Sequence, residues 1–578
     1  MSNRISRTPL IAAFFYTAIL TACADDQVNS RPDYAKCAVP TTPIASVQGS
    51  RPASPLLDQQ VTVQGVVTLI QDGQGLYMEE PGSDQDASTS NAIFVQATEL
   101  PDGVGPGSWV SAQGKVSEIR KGRNSLTALT DVGEVTQCSS AQALPLTSIA
   151  LPLRGPEREA LEGMRIHMHD TLTVTDTYRL SRGEFSLAGN GFQFTATEVM
   201  APGPEAVKYT LNNQAFTLPA MLPGYPENHD LLATGSTISG ITGVMAHDER
   251  SLRVSLQSMS DGEPPSFAIP RQAGEGELRV VGMNLLNFFN GDGKGGGFPA
   301  PRGARTAAEF DQQRQRLGAA IRVLNPQVLA VMELENDGFG PVSAAADFIA
   351  VAQEATGTPW QVARPAGDDT GTNIIAVGLF YRGDVLEALG PARTLTGPEF
   401  KRSRQPLAQL FKQRQDGEKI LVVVNHLKSK GSCPDSGIDA NQKDGQGCWN
   451  PMRAASAGKM STWVNSLAAT TQTANLLILG DMNAYRREDP INTIRDAGFI
   501  ELLDSAENPY SFIYFGQAGT LDYAFATAAL QQKVQQAFIW NVNAALPAKL
   551  ELPQPWLRFS DHDPVVVDVR LHQSTTSD

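Results

Sequence analysis

Six places in the chain set titratable or amide side chains at the end of an apolar run. Asn284 and Asn287 follow "VVGM", Glu333 and Glu335 follow "VLAVM", and His426 follows "LVVVN". Asp481 and Asn483 follow "LLILG", Asp522 lies in "GTLDYAF", and Asp561 and His562 lie in "SDHDPVVVDV". Carboxylates and amides with no thiolate among them describe a hard-cation site of the Mg²⁺ kind, completed by water and phosphate. Two histidines beside spare carboxylates describe proton transfer. Phosphate-ester hydrolysis needs both: a cation against developing charge, a base for the attacking water, and a donor near the leaving oxygen. Taken singly, each residue is more simply a strand cap or a turn residue. Their recurrence at equivalent places is what points to one site.

The segments that must position these residues are nearly continuous in Val, Ile and Leu and alternate with helical stretches such as "TAAEFDQQRQRLGAAIRVL" and "MRAASAGKMSTWVNSLA". That pattern fits sheets covered on both faces, so an α/β sandwich with chemistry at its strand ends is expected over 278–571. Ahead of it, 263–277 is Pro/Gly/Glu-rich and reads as a linker. Short, Gly-punctuated strands over 36–140 predict a small β-barrel, and 141–262 predicts a second β module. The stretch "GSTISGITGVMAHDERSLRV" echoes "GSWVSAQGKVSEIRKGRNSL", which suggests a divergent repeat.

With 578 residues the chain is too long for one ordinary domain. Its 46 Lys and Arg against 61 Asp and Glu give a net charge of −15, so no general basic surface advertises a polyanion. A nucleic-acid substrate then requires a local cleft of cations or a metal ion. "MSNRISRTPLIAAFFYTAILTAC" reads as an export signal, within 1–23. Its "LTAC" ending resembles a bacterial lipobox, which makes Cys23 the expected lipidated residue; an ordinary cleaved leader with Cys23 incidental is the alternative. Four further cysteines remain of five. Cys37 with Cys138 and Cys433 with Cys448 are the expected disulfides in an oxidising compartment, unless the close pair is free or binds metal.

In order along the chain, "GMNLLNFF", "VMELEN", "NHLKSKG", "GDMNAY", "GTLDYAF" and "SDHDP" resemble the motifs of the endonuclease/exonuclease/phosphatase superfamily. The versions around "NHLKSKG" and "GDMNAYRREDP" are most similar to its bacterial secreted nucleases, which can carry OB-fold-like modules ahead of the catalytic domain. This resemblance implies a DNase I-like four-layer α/β sandwich preceded by all-β OB-fold-like modules. It also implies Mg²⁺, with Mn²⁺ or Ca²⁺ as alternatives, held by Asn284, Glu333 and Asp561. By the same resemblance Asp481 and Asn483 position the nucleophile, His562 activates water, Asp522 orients His562, and His426 donates to the leaving group or the phosphate. Leu286 departs from the pattern where some members carry a second acidic ligand. The carboxylate that partners the equivalent of His426 is missing, and Asn373 is the nearest stand-in.

Lys428, Lys430 and Arg453 are candidate phosphate-binding cations, with solvated surface as the plain alternative. Arg486 and Arg487 are expected at the surface. "GDGKGGG" lacks the spacing of a phosphate-binding loop. His167 and His169 read as a pair on a barrel surface, and His229, His247 and His572 have no evident partners. The expected activity is hydrolysis of DNA or RNA by an exported, lipid-anchored enzyme at the outer membrane, the cell surface or outside the cell, touching membrane through its N-terminal lipid alone and with no protein partner. A phospholipid or inositol-phosphate phosphoesterase of the same fold is the first rival, and a non-catalytic surface binding protein the second. Asp561 and Asp563 cannot both serve His562, because neighbouring side chains on extended chain face opposite ways; Asp563 is expected to be structural.

Overall fold

In a computed structural model, the described residues run from 37 to 572, apart from 83, 85, 122–123, 141, 226–231, 249–250, 261, 264, 504–508 and 549–551. Cys23 with the expected export signal, and His229, lie outside them. No helix among the described residues is long and apolar enough to cross a membrane.

The C-terminal half stacks helices, two sheets and helices. One six-stranded sheet runs Trp360–Val362, Ile375–Arg382, Val328–Glu335, Leu278–Phe288, Val565–Val569, Val534–Ile539. The second is built around Lys419–His426, Leu476–Asp481 and Asp522–Ala526. Strand alternation assigns the layers: Val280, Val422, Leu479 and Val567 fill the space between sheets, whereas Val281 and Val566 face the helices Ala307–Leu324 and Ala344–Thr356. On the far side, Val423 and Ile478 meet Met460 and Val464 of helix Asn450–Thr471. The expected four-layer sandwich is therefore present.

Local chemistry fixes the helix ends that frame it. The Thr306 side chain accepts from the Glu309 amide to cap one helix, and Ser343 does the same for the next through Ala346. Asn325 and Gly357 close them in the left-handed conformation. Between strands Leu278–Phe288 and Val565–Val569, Arg279 and Asp568 form a fully buried two-pronged pair at 2.7 and 2.8 Å.

Ahead of the sandwich, the five strands Gln60–Gln71, Gly75–Glu79, Ala92–Gln96, Trp109–Lys121 and Asn124–Thr130 pair in the order 1-2-3-5-4. The fourth pairs back to the first to close a barrel, and Val135–Ser139 adds to the fourth. This is the five-stranded order of an OB fold. Its third and fifth strands are parallel. The eight-stranded sheet that follows uses the same order, with Thr217–Met221 parallel to Leu252–Ser258 at the matching place. Shared topology accounts for the echo between the two sequence segments. Disulfides Cys37–Cys138 and Cys433–Cys448 are formed as expected.

The second β module docks on the sandwich. Thr197 Oγ1 donates to Glu488 at 2.8 Å, and Glu198 accepts from the amide and hydroxyl of Thr520. Arg486 is buried and ion-paired to Glu198 and Glu501, which corrects its expected place at the surface. His247, without a partner in the sequence, lies 3.1 Å from buried Glu162.

Candidate active site

In the second sheet, register sets His426 opposite Asp481 and Asp481 opposite Asp522, so one row across three strands carries all three. Gly480 makes this possible. It sits at φ +149°, and a Cβ there would lie 2.1 Å from the Asn425 carbonyl oxygen. His426 Nε2 is 3.3 Å from Asp481 Oδ2. Asn483, at φ +48°, turns its amide back to Asp481 Oδ1 at 2.8 Å, while its side chain donates to the Leu427 carbonyl.

The first sheet supplies Asn284 and Glu333 from the ends of two parallel strands. Glu333, Leu286 and Asn287 all have φ between +53° and +63°, conformations that side chains other than glycine adopt at an energetic cost. This irregular backbone brings the Asn287 amide to Glu333 Oε2 at 3.0 Å, and the Leu286 amide to Asn284 Oδ1 at 2.9 Å. Burial raises the Glu333 carboxyl above its usual range, and Asp561 beside it raises it further. Leu286 is exposed and offers no ligand atom.

His562 closes the gap between the two sheets. Its Nδ1 lies 2.7 Å from Asp522 Oδ2, which also accepts from Ser511 Oγ at 2.7 Å. Burial opposes a charge on His562, but Asp522 by charge and hydrogen bond, with Asp481 and Asp561, outweighs it and lifts the imidazole well above its ordinary value. Burial pushes the Asp481 carboxyl up to about 7 against the pull of His562. His426 behaves oppositely: burial, then Arg404, hold it well below the usual imidazole range. It is neutral at pH 7, so it can donate a hydrogen bond but is no store of an acidic proton. Asn373 does not partner it. The Asn373 side chain accepts from the Ile375 amide, and the carboxylate nearest His426 is Asp481.

Asp563 accepts three backbone amides, from Val542, Asn543 and Ala544, as well as the Asn541 side chain. It shapes the loop and does not reach the imidazole.

Two of the three expected phosphate cations are spent elsewhere. Arg453 is fully buried and donates to the carbonyls of Lys428, Cys448 and Gln446. Lys430 is ion-paired to Glu488 at 2.6 Å and donates to Gln446. Both hold the disulfide loop against helix Asn450–Thr471. Lys428 donates to carbonyls of Ser429 and Gly431 and lies over the Trp449 ring, and burial draws it down to about 8. The cation that the sequence did not single out is Arg404. Its guanidinium donates to the Leu427 carbonyl and feels Glu333 and Asp481, which oppose the burial that lowers it to about 10. Arg302 reaches Asn287 at the same rim.

Glu333 and Asp561, two carboxylates in mutual repulsion beside the Asn284 amide, fit a hard divalent cation by donor type. Asp481, Asp522 and His562 also lie with ligand atoms within 4.8 Å of one another. There, Asp522 and His562 already satisfy each other, so that group reads better as a hydrogen-bonded relay. Asp522 Oδ1, buried and without a partner among the described residues, remains available to a water or a substrate atom.

Residues 284–562 match the family described as Endonuclease/Exonuclease/phosphatase. Among solved structures, the human Nocturnin catalytic domain with bound sulfate is 17% identical, with 51% of this chain and 94% of that one covered and a TM-score of 0.34. A mannosyl-6-phosphatase of Bacteroides thetaiotaomicron is 15% identical over 50% and 98% of the two chains, also with a TM-score of 0.34. TDP2 of D. rerio complexed with a single-strand DNA product is 12% identical over 50% and 98%, with a TM-score of 0.34. No curated protein matches the chain.

Proposed function

We propose that this chain is an exported, metal-dependent nuclease acting on DNA or RNA, a reading supported by the match of residues 284–562 to the family described as Endonuclease/Exonuclease/phosphatase. The observation that carries the reading is the Asp522–His562 pair at 2.7 Å, set across from Glu333, Asn284 and Asp561.

Asp522, itself held by the Ser511 hydroxyl, fixes the imidazole through Nδ1 and leaves Nε2 to take the proton of the attacking water. The carboxylate makes that nitrogen a stronger base, and because only the unprotonated imidazole can accept, the rate is expected to fall as acid protonates His562. Asn483 and Arg404, which both donate to the Leu427 carbonyl, and neutral His426 beside Asp481 would donate to the phosphoryl oxygens, where charge gathers in the transition state. Mg²⁺ held by Asn284, Glu333 and Asp561 would supply Lewis acidity toward the phosphoryl group and the leaving oxygen.

Export rests on the leader and Cys23, and the two disulfides support it because such bonds persist in oxidising compartments. Single- and double-stranded DNA, RNA and phospholipid vesicles, offered at one fixed salt concentration with Mg²⁺, test the substrate class. Cleavage of at least one nucleic acid is expected. Turnover of lipid head groups with all nucleic acids left intact would replace this reading by the phospholipid one.

A further inference from the structure

Beside the active site a cavity of about 450 Å³ opens between the second β module and the sandwich. Tyr178 lines it from the module, Phe512, Tyr514 and Phe515 line it from the sandwich, and Asp561 belongs to its wall. The aromatic rings form a run that starts at the catalytic imidazole. Phe512 packs on His562 with centroids 4.5 Å apart, Tyr514 lies nearly parallel to Phe512 at 6.4 Å, and Phe515 meets Tyr514 at 4.5 Å. Tyr178, Tyr514 and Phe515 are 74%, 58% and 81% exposed, far more than packing would leave them.

The hairpin that carries these rings breaks a local rule. Phe512–Tyr514 and Gln517–Gly519 are joined by Phe515 and Gly516, both at positive φ, 46° and 75°. That two-residue turn favours Asn or Asp before Gly, so a phenylalanine there is strained and its ring gains nothing by burial. The second module fixes the hairpin's position: the Thr195 amide donates to Ala518 at 2.8 Å, and the Ala518 amide to Gln193 at 2.9 Å. A ring held at a conformational cost, in solvent, on a braced hairpin beside the reacting atoms is suited to meet a flat partner.

Charge narrows the class of that partner. Arg179 and Arg253 in the wall are paired with Glu184, Arg253 also with Asp248, and Arg558 donates to the Asn543 carbonyl. With Arg179 and Arg253 paired and Arg558 beside the charges of Asp561 and Asp563, the wall is no trough for phosphates. Its most exposed side chains are aromatic rings, with Ile513 half-buried and Leu546 buried, so it is a poor sleeve for acyl tails. Stacking of unpaired bases on aromatic rings needs neither, and tolerates any base sequence. Resting on the nuclease reading above, we propose that this cleft is the base-stacking subsite for single-stranded nucleic acid: Tyr178, Tyr514 and Phe515 hold the bases next to the scissile phosphate, which lies at His562. The β module thereby completes the substrate site, and duplex, whose bases are already stacked, is excluded from it.

Kinetics of the full chain on a single-stranded oligonucleotide, the same strand with abasic residues, and its duplex test this. Tyr178→Ala and Phe515→Ala are each expected to raise KM for the base-bearing strand about tenfold. Phe515→Tyr restores it. The wild-type preference for that strand over the abasic one should shrink in parallel. Equal losses on base-bearing and abasic strands, or no loss, would overturn the subsite while leaving the nuclease intact. Should the wild type cleave no nucleic acid, binding of a fluorescent-base oligonucleotide by His562→Ala decides: binding lost on adding Tyr178→Ala keeps the subsite without the reaction, and absence of binding removes it. Tyr178-dependent binding of phosphatidylglycerol vesicles, with none of oligonucleotide, would assign the cleft to lipid.

Discussion

His562 stands between two aspartates in sequence, yet its hydrogen-bonded carboxylate is Asp522, forty positions away. Asp522→Asn keeps the size of the side chain but removes the charge that favours a proton on the imidazole. A fall in kcat of about a hundredfold or more, with KM little changed, is expected in steady-state kinetics. That Asp563 serves the loop was legible in the sequence, because adjacent side chains diverge on extended chain. Arg453 was misjudged for a physical reason: an arginine near a polar motif looks the same in sequence whether it faces solvent or, as here, three buried carbonyls. Arg404 went unnoticed because "KRSRQP" carries no apolar period to place it. Ser511 and Phe512 follow a stretch without strand signal, and nothing local ties them to Asp522 or His562.

Strand ends were the most legible feature, since continuous apolar runs followed by polar residues mark where a covered sheet stops. What the pattern could not convey is the irregular backbone that aims those residues. Positive φ at Glu333 goes with a hydrogen bond from the Asn287 amide on the neighbouring strand, which no local propensity signals. The same sheet depends on Arg279 and Asp568, paired across neighbouring strands with neither exposed. Asp568→Ala leaves a buried guanidinium without its charge partner. A loss of about 3–5 kcal/mol in denaturant unfolding of the full chain is expected, where a solvent-facing ion pair such as Lys208–Glu205 would give under about 1 kcal/mol.

The docking of the second β module onto the sandwich could not be seen in the sequence, because Glu198 and Arg486 are separated by 288 positions and each resembles an ordinary surface charge. A small β-barrel was legible through its turns and short strands, and its OB-fold-like kind only through the family resemblance; the contact between modules was not legible. Burial at this contact raises the Glu198 carboxyl from 4.5 to about 7, against hydrogen bonds from Thr520 and the charge of Arg486. The folded chain thus retains a proton there that the unfolded chain releases. Its contribution is full below pH 4.5 and is lost as pH rises through about 7, a change of about 3 kcal/mol or less. Unfolding of wild type and Glu198→Gln from pH 4.5 to 8 should show a decline that is smaller in the variant, because other raised carboxyls such as Asp481 remain in both.

The proposed function requires that His562 drive hydrolysis beside a divalent cation. Initial rates on single-stranded DNA and RNA, for wild type and His562→Ala, with chelator and then with Mg²⁺ restored, address that directly. Wild-type cleavage should vanish with chelator and return with Mg²⁺, while His562→Ala stays at least about a hundredfold slower at every Mg²⁺ concentration. Undiminished cleavage by His562→Ala, or wild-type cleavage indifferent to chelator, would contradict the account.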